Sequence, residues 1–487
     1  ATPSFRGKLT LMAVTAIQFE TVIGLEIHLA MKTKTKIFCA CSSDSFGKEP
    51  NTNVCPVCLG LPGSLPVANK EAIEEAIMFS LALHCSVPEV TQFHRKNYFY
   101  PDSPTNYQIS QYDRPVGSNG YIDLSDGRRI GITRCHVEAD AGRSVHPTYA
   151  QYSLVDLNRA GAPLIEMVTE PDLRTPEETR EFLQKVRAIA QALGVSDANP
   201  EEGKMRADVN VSIRKPGDPL GTKVEVKNLN SFKSVGKALE YEFKRQSRIV
   251  EEGGKIQQAT LGWDDGGQKT YLMRTKEEAA DYRYFPDPDL PMMKISKEWL
   301  EEVRAKTPEL PDTKYQRYIT SGVRDYDANI IAFDSELAPF FDAALKTYGG
   351  NPQTIANWLN TDVAGYLNAN QLELNASKLS PEHLATLVTL IDKGIISSKI
   401  AKDLLPELMQ GANPETLVKE KGLEQVSDTG KLEGIIDGIF SSQPELVERI
   451  KANPKAINAL LGEVMKASKG KAKPDLVREL LNRKING

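Results

Sequence analysis

Long hydrophobic runs and an excess of one charge are both missing from this sequence. No segment approaches the roughly 18 consecutive apolar residues that a membrane-spanning helix needs, so no membrane partner is expected. The 60 Lys and Arg residues against 65 Asp and Glu residues give a net charge of -5. That balance excludes a protein that coats nucleic acid by uniform positive charge. Any basic surface must therefore be local.

Cysteine is also scarce, and its placement is informative. The six cysteines all lie between Cys39 and Cys135, which favours a reduced, cytoplasmic protein over a disulfide framework. Four of them form two close pairs within residues 39–58: Cys39, Cys41, Cys55 and Cys58. Paired thiolates joined by a short loop predict a structural Zn2+ site. The alternative is a set of buried or redox-active thiols.

The length of 487 residues predicts about three domains. Residues 1–17 are expected to be a leader or a disordered N-terminus. Residues 18–294 alternate short strand patterns with a few helical ones, such as 69–83 and 176–193, and so predict an α+β domain that contains the 39–58 insertion. Helical patterns with capping or proline starts dominate residues 295–410, and a further helical tail is expected over 411–487.

Three strand-like segments place metal-ligand side chains on shared faces. Glu26 and His28 alternate with Leu25, Ile27 and Leu29, so the two polar side chains face the same side of a strand. The same period aligns His136, Glu138 and Asp140, and a further carboxylate, Glu166, follows a predicted turn at 159–161. Such donors suit Mg2+ that is also held by nucleotide phosphates. The alternative is an ordinary solvated sheet face.

Basic residues accompany these segments. Together such residues could clamp phosphates, although each one alone is more often part of a surface ion pair. The residues are Arg95, Lys96, Arg159, Arg206, Lys227 and Arg283. A second basic group lies in the final tail and could follow an RNA backbone, with a solvated tail as the alternative; it comprises Lys469, Lys471, Lys473 and Arg478. The sequence lacks G-x-S-x-G, H-E-x-x-H and phosphate-loop motifs.

Several segments together resemble one known family over nearly the whole chain from about residue 18. They are ETVIGLEIHL, NTNVCPVCLGLPGSLPVAN, RKNYFYPDSPTNYQISQYD, SLVDLNRAGAPLIEMVTEPDLR, VEVKNLNSF, DYRYFPDPDL and MKASKGKAKPDLVRELL. These segments are similar to those of the B subunit of the glutamyl-tRNA(Gln)/aspartyl-tRNA(Asn) amidotransferase.

The resemblance implies a cradle domain similar to the glutamine synthetase/guanido kinase fold, then an all-α domain and a YqeY-like tail that binds tRNA. It implies that ATP phosphorylates the side-chain carboxylate of glutamate or aspartate misacylated on tRNA, and that ammonia then displaces the phosphate. Glu26, His28, Glu138 and Glu166 match the family's catalytic, Mg2+-binding positions. No amidase Ser-Ser-Lys signature is present, so ammonia is expected from the family's amidase subunit, with its small third subunit completing a bacterial heterotrimer.

One position departs from the family pattern. The chain reads HVEADAGR over 136–143, with Ala139 where the family has a second carboxylate. The resemblance implies that this carboxylate belongs to the metal site, so its loss is expected to weaken divalent-ion binding. This departure gives an alternative reading in which the chain is a non-catalytic, tRNA-binding assembly subunit.

Overall fold

The computed structural model describes residues 19–147, 149–275, 281–424, 429–443, 457–468, 472 and 474–486. The predicted leader at 1–17 lies outside these residues. The chain divides into two compact units, the first ending at Leu310 and the second beginning at Pro311. Within the described ranges, no helix has the length and apolar content that a membrane crossing requires.

The first unit contains the strands of the structure. They are β1 (Glu20–Ala30), β2 (Val90–Thr91), β3 (His94–Asn97), β4 (Tyr107–Ser110), β5 (Gly117–Asp123), β6 (Arg129–Ala139), β7 (Arg143–Val145), β8 (Leu154–Asp156), β9 (Pro163–Thr169), β10 (Met205–Arg214), β11 (Val224–Lys227), β12 (Ala259–Asp264), β13 (Lys269–Thr275), β14 (Phe285–Pro286) and β15 (Met293–Lys294). Its helices are α1 (Lys70–Ala82), α2 (Pro176–Ala192), α3 (Phe232–Glu251) and α4 (Lys297–Lys306).

An eight-stranded sheet forms the centre of this unit, in the order β13-β12-β11-β10-β1-β9-β6-β5. All neighbouring strands are antiparallel except β11 and β12. The pairing places His28 opposite both Arg206 of β10 and Glu166 of β9, and it places Glu166 opposite His136 of β6. One row across four strands is therefore polar. A small sheet, β14-β3-β4, is separate from the large one.

Helices cover one face of the large sheet. Leu25, Ile27 and Leu29 of β1 are fully buried in one core with Phe182 of α2 and Leu239 of α3. A capping box at Thr175 fixes the start of α2, as its sequence predicts. Because side chains alternate along a strand, the helices leave Glu26 and His28 on the opposite face. The amphipathic pattern thus determines which face carries polar groups.

The second unit is helical, as predicted. Its elements are α5 (Pro311–Thr320), α6 (Asp325–Ala332), α7 (Leu337–Thr347), α8 (Pro352–Asn357), a π-helical turn (Trp358–Val363), α9 (Ala364–Asn370), a 3-10 turn (Leu374–Ala376), α10 (Pro381–Asp392), α11 (Ser398–Leu408), α12 (Pro414–Glu420), α13 (Thr429–Ser442), α14 (Ile457–Ala467) and α15 (Pro474–Asn486). The π-helical turn separates α8 from α9, and it buries Trp358, Leu359 and Val363.

Side-chain packing shifts both domain boundaries relative to the sequence prediction. Val303 of α4 is fully buried in the core of the first unit, so that unit extends past residue 294. Leu417 and Val418 of α12 belong to a core with helices α5 to α11, so the helical domain extends past residue 410. A separate core begins at Leu432 and continues to Leu481.

Candidate functional site: a carboxylate and histidine cluster on the open sheet face

The predicted ligand residues converge on the open face of the sheet. His28 Nε2 lies 3.3 Å from Glu166 Oε2 and 3.5 Å from Glu138 Oε1. It is also 3.9 Å from Glu26 Oε1. Each of these side chains comes from the polar side of its strand, and the strand order β1-β9-β6 brings them together. The predicted grouping of Glu26, His28, Glu138 and Glu166 is therefore present in the structure.

His136 belongs to the same cluster, which agrees with its predicted position on the strand face that carries Glu138. Its Nε2 lies 3.6 Å from Glu166 Oε2 and 3.7 Å from Glu138 Oε2. Its Nδ1 is buried without a hydrogen-bond partner. The period-two pattern that aligns His136 with Glu138 is the available indication of this placement. The pairing of β6 with β9, which sequence alone does not reveal, brings His136 next to Glu166.

The electrostatics of the cluster are those of several carboxylates held by a few cations. Burial alone would lower the pKa of His28, but its hydrogen bond to Glu166 and the nearby Glu138 raise that pKa to about 9. Burial alone would raise the pKa of Glu166, but His136 and His28 hold it well below its usual range. Burial and the Glu166 carboxylate raise the pKa of Glu26. The carboxylates of the cluster therefore interact strongly with one another and with the neighbouring histidines.

Two further cations face the cluster from its margin. Arg134 of β6 places Nη2 3.6 Å from Glu166 Oε1. Lys96 of β3 is drawn to Glu138 and Glu166, whose charges raise its pKa above the ordinary value despite the opposing effect of burial. Lys96 is predicted to bind phosphate, and that role stays a prediction. Arg134 carried no distinguishing sequence pattern.

Position 139 does not face the cluster. Ala139 lies one residue after Glu138 on β6, so its side chain points to the other side of the sheet. There it packs against the hydrophobic core that contains Cys135 and Val137. A carboxylate at this position would not join Glu138 in the described cluster. The predicted weakening of metal binding by Ala139 stays a prediction.

The other predicted basic residues fall into two groups. Arg206 and Lys227 lie on the open face near the cluster: Arg206 Nη2 is 3.6 Å from Asp140 Oδ1, and Lys227 pairs with Asp208 and Glu225. Arg95 instead binds Asp287 and Asp289, each at 2.8 Å.

Arg159 holds the segment that follows β6. Its Nη2 donates to the Gly142 carbonyl at 2.8 Å, and its Nε lies 3.2 Å from Asp140 Oδ2. Arg283 is exposed and lies just before β14. The structure therefore does not place Arg95, Arg159 and Arg283 among the cluster residues.

The four paired cysteines converge as their spacing predicts. Their Sγ atoms all lie within 4.8 Å of one another. Cys58 Sγ accepts a hydrogen bond from the Cys55 amide at 3.1 Å and lies 3.6 Å from Lys36 Nζ. The Cys39 thiol lowers the pKa of Cys58 to about 4. Four converging sulfur donors with an adjacent ammonium fit a tetrahedral, thiophilic ion.

Most of the predicted tRNA-binding residues cannot be placed. Lys469, Lys471 and Lys473 lie outside the described residues. Arg478 of α15 is exposed, and its Nη2 is 3.4 Å from Asn458 Oδ1. The role of this group stays a prediction.

Comparison with known proteins identifies the class and then the family. Residues 21–301 match the family described as the GatB/GatE catalytic domain, and residues 339–485 match the family described as the GatB domain. Relatives named as the B subunit of aspartyl/glutamyl-tRNA(Asn/Gln) amidotransferase are 57% identical in Deinococcus radiodurans, 56% in Thermus thermophilus and 52% in Persephonella marina. Each match covers at least 95% of this chain and 98% of the relative. The chain belongs to the family of amidotransferase B subunits, which confirms the resemblance seen in its sequence.

Proposed function

We propose that this chain is the B subunit of a tRNA-dependent amidotransferase. It activates the side-chain carboxylate of Glu-tRNA(Gln), Asp-tRNA(Asn) or both by phosphorylation with ATP, and the acyl phosphate is then amidated to give Gln-tRNA(Gln) or Asn-tRNA(Asn). The identity with relatives of that name over 95% or more of the chain carries this proposal. Activation is chemically necessary because a carboxylate has no leaving group that ammonia can displace.

The carboxylate and histidine cluster is the proposed phosphoryl-transfer centre. Glu26, His28, Glu138 and Glu166 would hold Mg2+, with His136 as a further donor. The convergence of these ligand atoms and the unpartnered Nδ1 of His136 support this assignment. Mg2+ bound there would neutralise charge on the transferring phosphoryl group. Lys96 and Arg206 would bind phosphate oxygens, and Arg134 would orient Glu166.

Arg95, Arg159, Lys227 and Arg283 were also expected to bind ATP or substrate. The ion pairs of Arg95 and the backbone contacts of Arg159 support positioning roles for these two residues instead. Lys227 lies beside Asp208, and Asp208 belongs to β10, the strand next to β1. The positive charge of Lys227 opposes the rise in the pKa of Glu26. We assign Lys227 to the open face that receives substrate, and we retain Arg283 as a substrate contact at the rim.

The remaining assignments concern structure and partners. The four cysteines would hold a structural Zn2+, the sheet domain would share the glutamine synthetase/guanido kinase fold, and the YqeY-like tail would bind tRNA through Lys469, Lys471, Lys473 and Arg478. The amidase subunit would supply glutamine-derived ammonia, and the small third subunit would complete the heterotrimer. The site of action would be the bacterial cytoplasm, where aminoacyl-tRNAs are used.

The alternative of a non-catalytic assembly subunit loses its support. It rested on Ala139, whose side chain lies on the core side of β6 while the cluster lies on the other side. The acidic and histidine side chains of the cluster are all present.

A complex reconstituted with the amidase and the small third subunit tests the proposal. With ammonium chloride as the nitrogen source, Glu166→Gln is expected to lower ATP-dependent amidation by roughly 100-fold or more while tRNA binding persists. Glu170→Gln is the matched control, because Glu170 is exposed and lies just beyond β9. Full activity of the Glu166→Gln complex would contradict the assignment.

A further inference from the structure

The rings of Tyr112, Tyr284 and Tyr282 contact one another in a row that begins at the protein surface. The rings of Tyr112 and Tyr284 are nearly parallel, with centroids 4.6 Å apart and an interplanar angle of 15°. Tyr282 meets Tyr284 edge-on at 6.3 Å. Tyr112 remains 56% exposed, whereas Tyr282 and Tyr284 are half-buried. Tyr284 therefore covers one side of the Tyr112 ring, and much of Tyr112 stays open to solvent.

The small sheet fixes this arrangement. Tyr112 follows β4 and Tyr284 directly precedes β14, and both strands pair with β3. His94 of β3 is buried, meets the Tyr112 ring edge-on at 6.3 Å, and bonds Asp113 at 2.9 Å. A ring held in place before binding loses little conformational freedom when a ligand stacks on it.

A cation, Lys96, lies beside Tyr282 at the inner end of this row of tyrosines. Lys96 Nζ lies 5.0 Å from the centroid of the Tyr282 ring. Ser110 of β4, two residues before Tyr112, places its Oγ 3.4 Å from Glu138 Oε2 of the cluster. The row of tyrosines thus lies close to the cluster and has a cation beside it. A polyanionic ligand would need such a cation.

We propose that Tyr112 stacks on an unpaired base at the 3′ end of the misacylated tRNA. The inference rests on the proposed function and deepens it by naming the part of the substrate that this surface holds. Aromatic side chains bind single-stranded RNA by base stacking, and Lys96 supplies charge complementarity for the backbone. Because the amino acid is attached to the terminal nucleotide, a base held at Tyr112 directs the aminoacyl group inward toward the cluster. Stacking is tolerant of sequence and so suits more than one tRNA.

Binding of two RNA probes to the reconstituted heterotrimer tests this. One probe is uncharged tRNA(Gln), and the other is the same tRNA without its unpaired 3′ nucleotides. Wild type is expected to prefer the full-length probe. Tyr112→Ala is expected to reduce that preference by about 5- to 150-fold, the equivalent of about 1–3 kcal/mol for one stacked base. Tyr112→Trp should retain the preference and shows that the site is folded. Tyr326→Ala is the control, since Tyr326 is 75% exposed but lies in the second unit.

Steady-state kinetics separate tRNA from the other base-carrying substrate. For Tyr112→Ala we expect a higher KM for misacylated tRNA and an unchanged KM for ATP. A raised KM for ATP alone would overturn the inference in favour of the nucleotide's adenine, and an unchanged probe preference would overturn it outright. Neither result would affect the proposed function, which fails only if the wild-type complex does not amidate misacylated tRNA.

Discussion

Replacing Lys36 by methionine is expected to weaken metal binding at the four-cysteine site. Lys36 is fully buried. Its Nζ donates to the Asn53 carbonyl at 3.0 Å and lies 3.6 Å from Cys58 Sγ. A buried ammonium is costly unless negative charge compensates it. Four thiolates around a divalent ion carry two net negative charges, so metal loading supplies that compensation and Lys36 in turn stabilises the loaded site.

The contacts of Lys36 set the size of the effect. A hydrogen bond to a charged group contributes about 1.5–3 kcal/mol, so loss of the bond to Cys58 corresponds to a metal affinity lower by about 10- to 150-fold. Outer-shell substitutions at metal sites typically cost about 10- to 100-fold, which agrees. Methionine has a similar length and apolar stem, so the buried space stays filled.

Chelator competition on the purified full-length chain measures this effect for Zn2+. Lys34→Met is the matched control, because Lys34 is exposed in the same segment. The control should bind Zn2+ as wild type does, whereas Lys36→Met should release it at a lower chelator concentration. Equal affinity of the two variants would refute the reasoning that Lys36 compensates the thiolates.

Three further predictions concern other parts of the chain. Burial raises the pKa of Glu75 to about 8, and one of its carboxylate oxygens has no hydrogen-bond partner. Because the unfolded chain loses this proton near its ordinary pKa, the native state loses stability as pH rises from about 4.5 to 8. Glu75→Gln should therefore raise the Tm at about pH 9 but not at about pH 4.5. Equal Tm gains at both pH values would contradict this. Ala139→Glu should leave Mg2+ affinity of the chain unchanged in calorimetry, since position 139 lies on the core side of β6; an increase would place it at the cluster. Truncation after Glu424 should keep the helical core that includes Val418 while weakening tRNA binding, and unchanged affinity across a salt series would reject a tRNA-binding tail.

Local periodicity was sufficient to predict the faces of the strands. Alternation along β1 separates Glu26 and His28 from the apolar residues, and burial in the structure follows that pattern. The same rule, applied to Glu138 and Ala139, shows that adjacent residues of a strand cannot share a face. The expectation for position 139 came from the family resemblance rather than from the local pattern.

Contacts between distant segments could not be predicted in this way. His28 meets Glu138 and Glu166 only because β9 lies between β1 and β6 in the sheet, and strand order is not encoded in local alternation. Likewise, Arg95 is held by Asp287 and Asp289, nearly two hundred residues further along the chain.

Conversion of both misacylated tRNAs by the reconstituted heterotrimer tests the central claim most directly. With ATP, Mg2+ and glutamine present, the account predicts Gln-tRNA(Gln), Asn-tRNA(Asn) or both, and ATP hydrolysis that depends on misacylated tRNA. Omission of this chain should abolish both signals. Equal conversion without this chain would contradict the account.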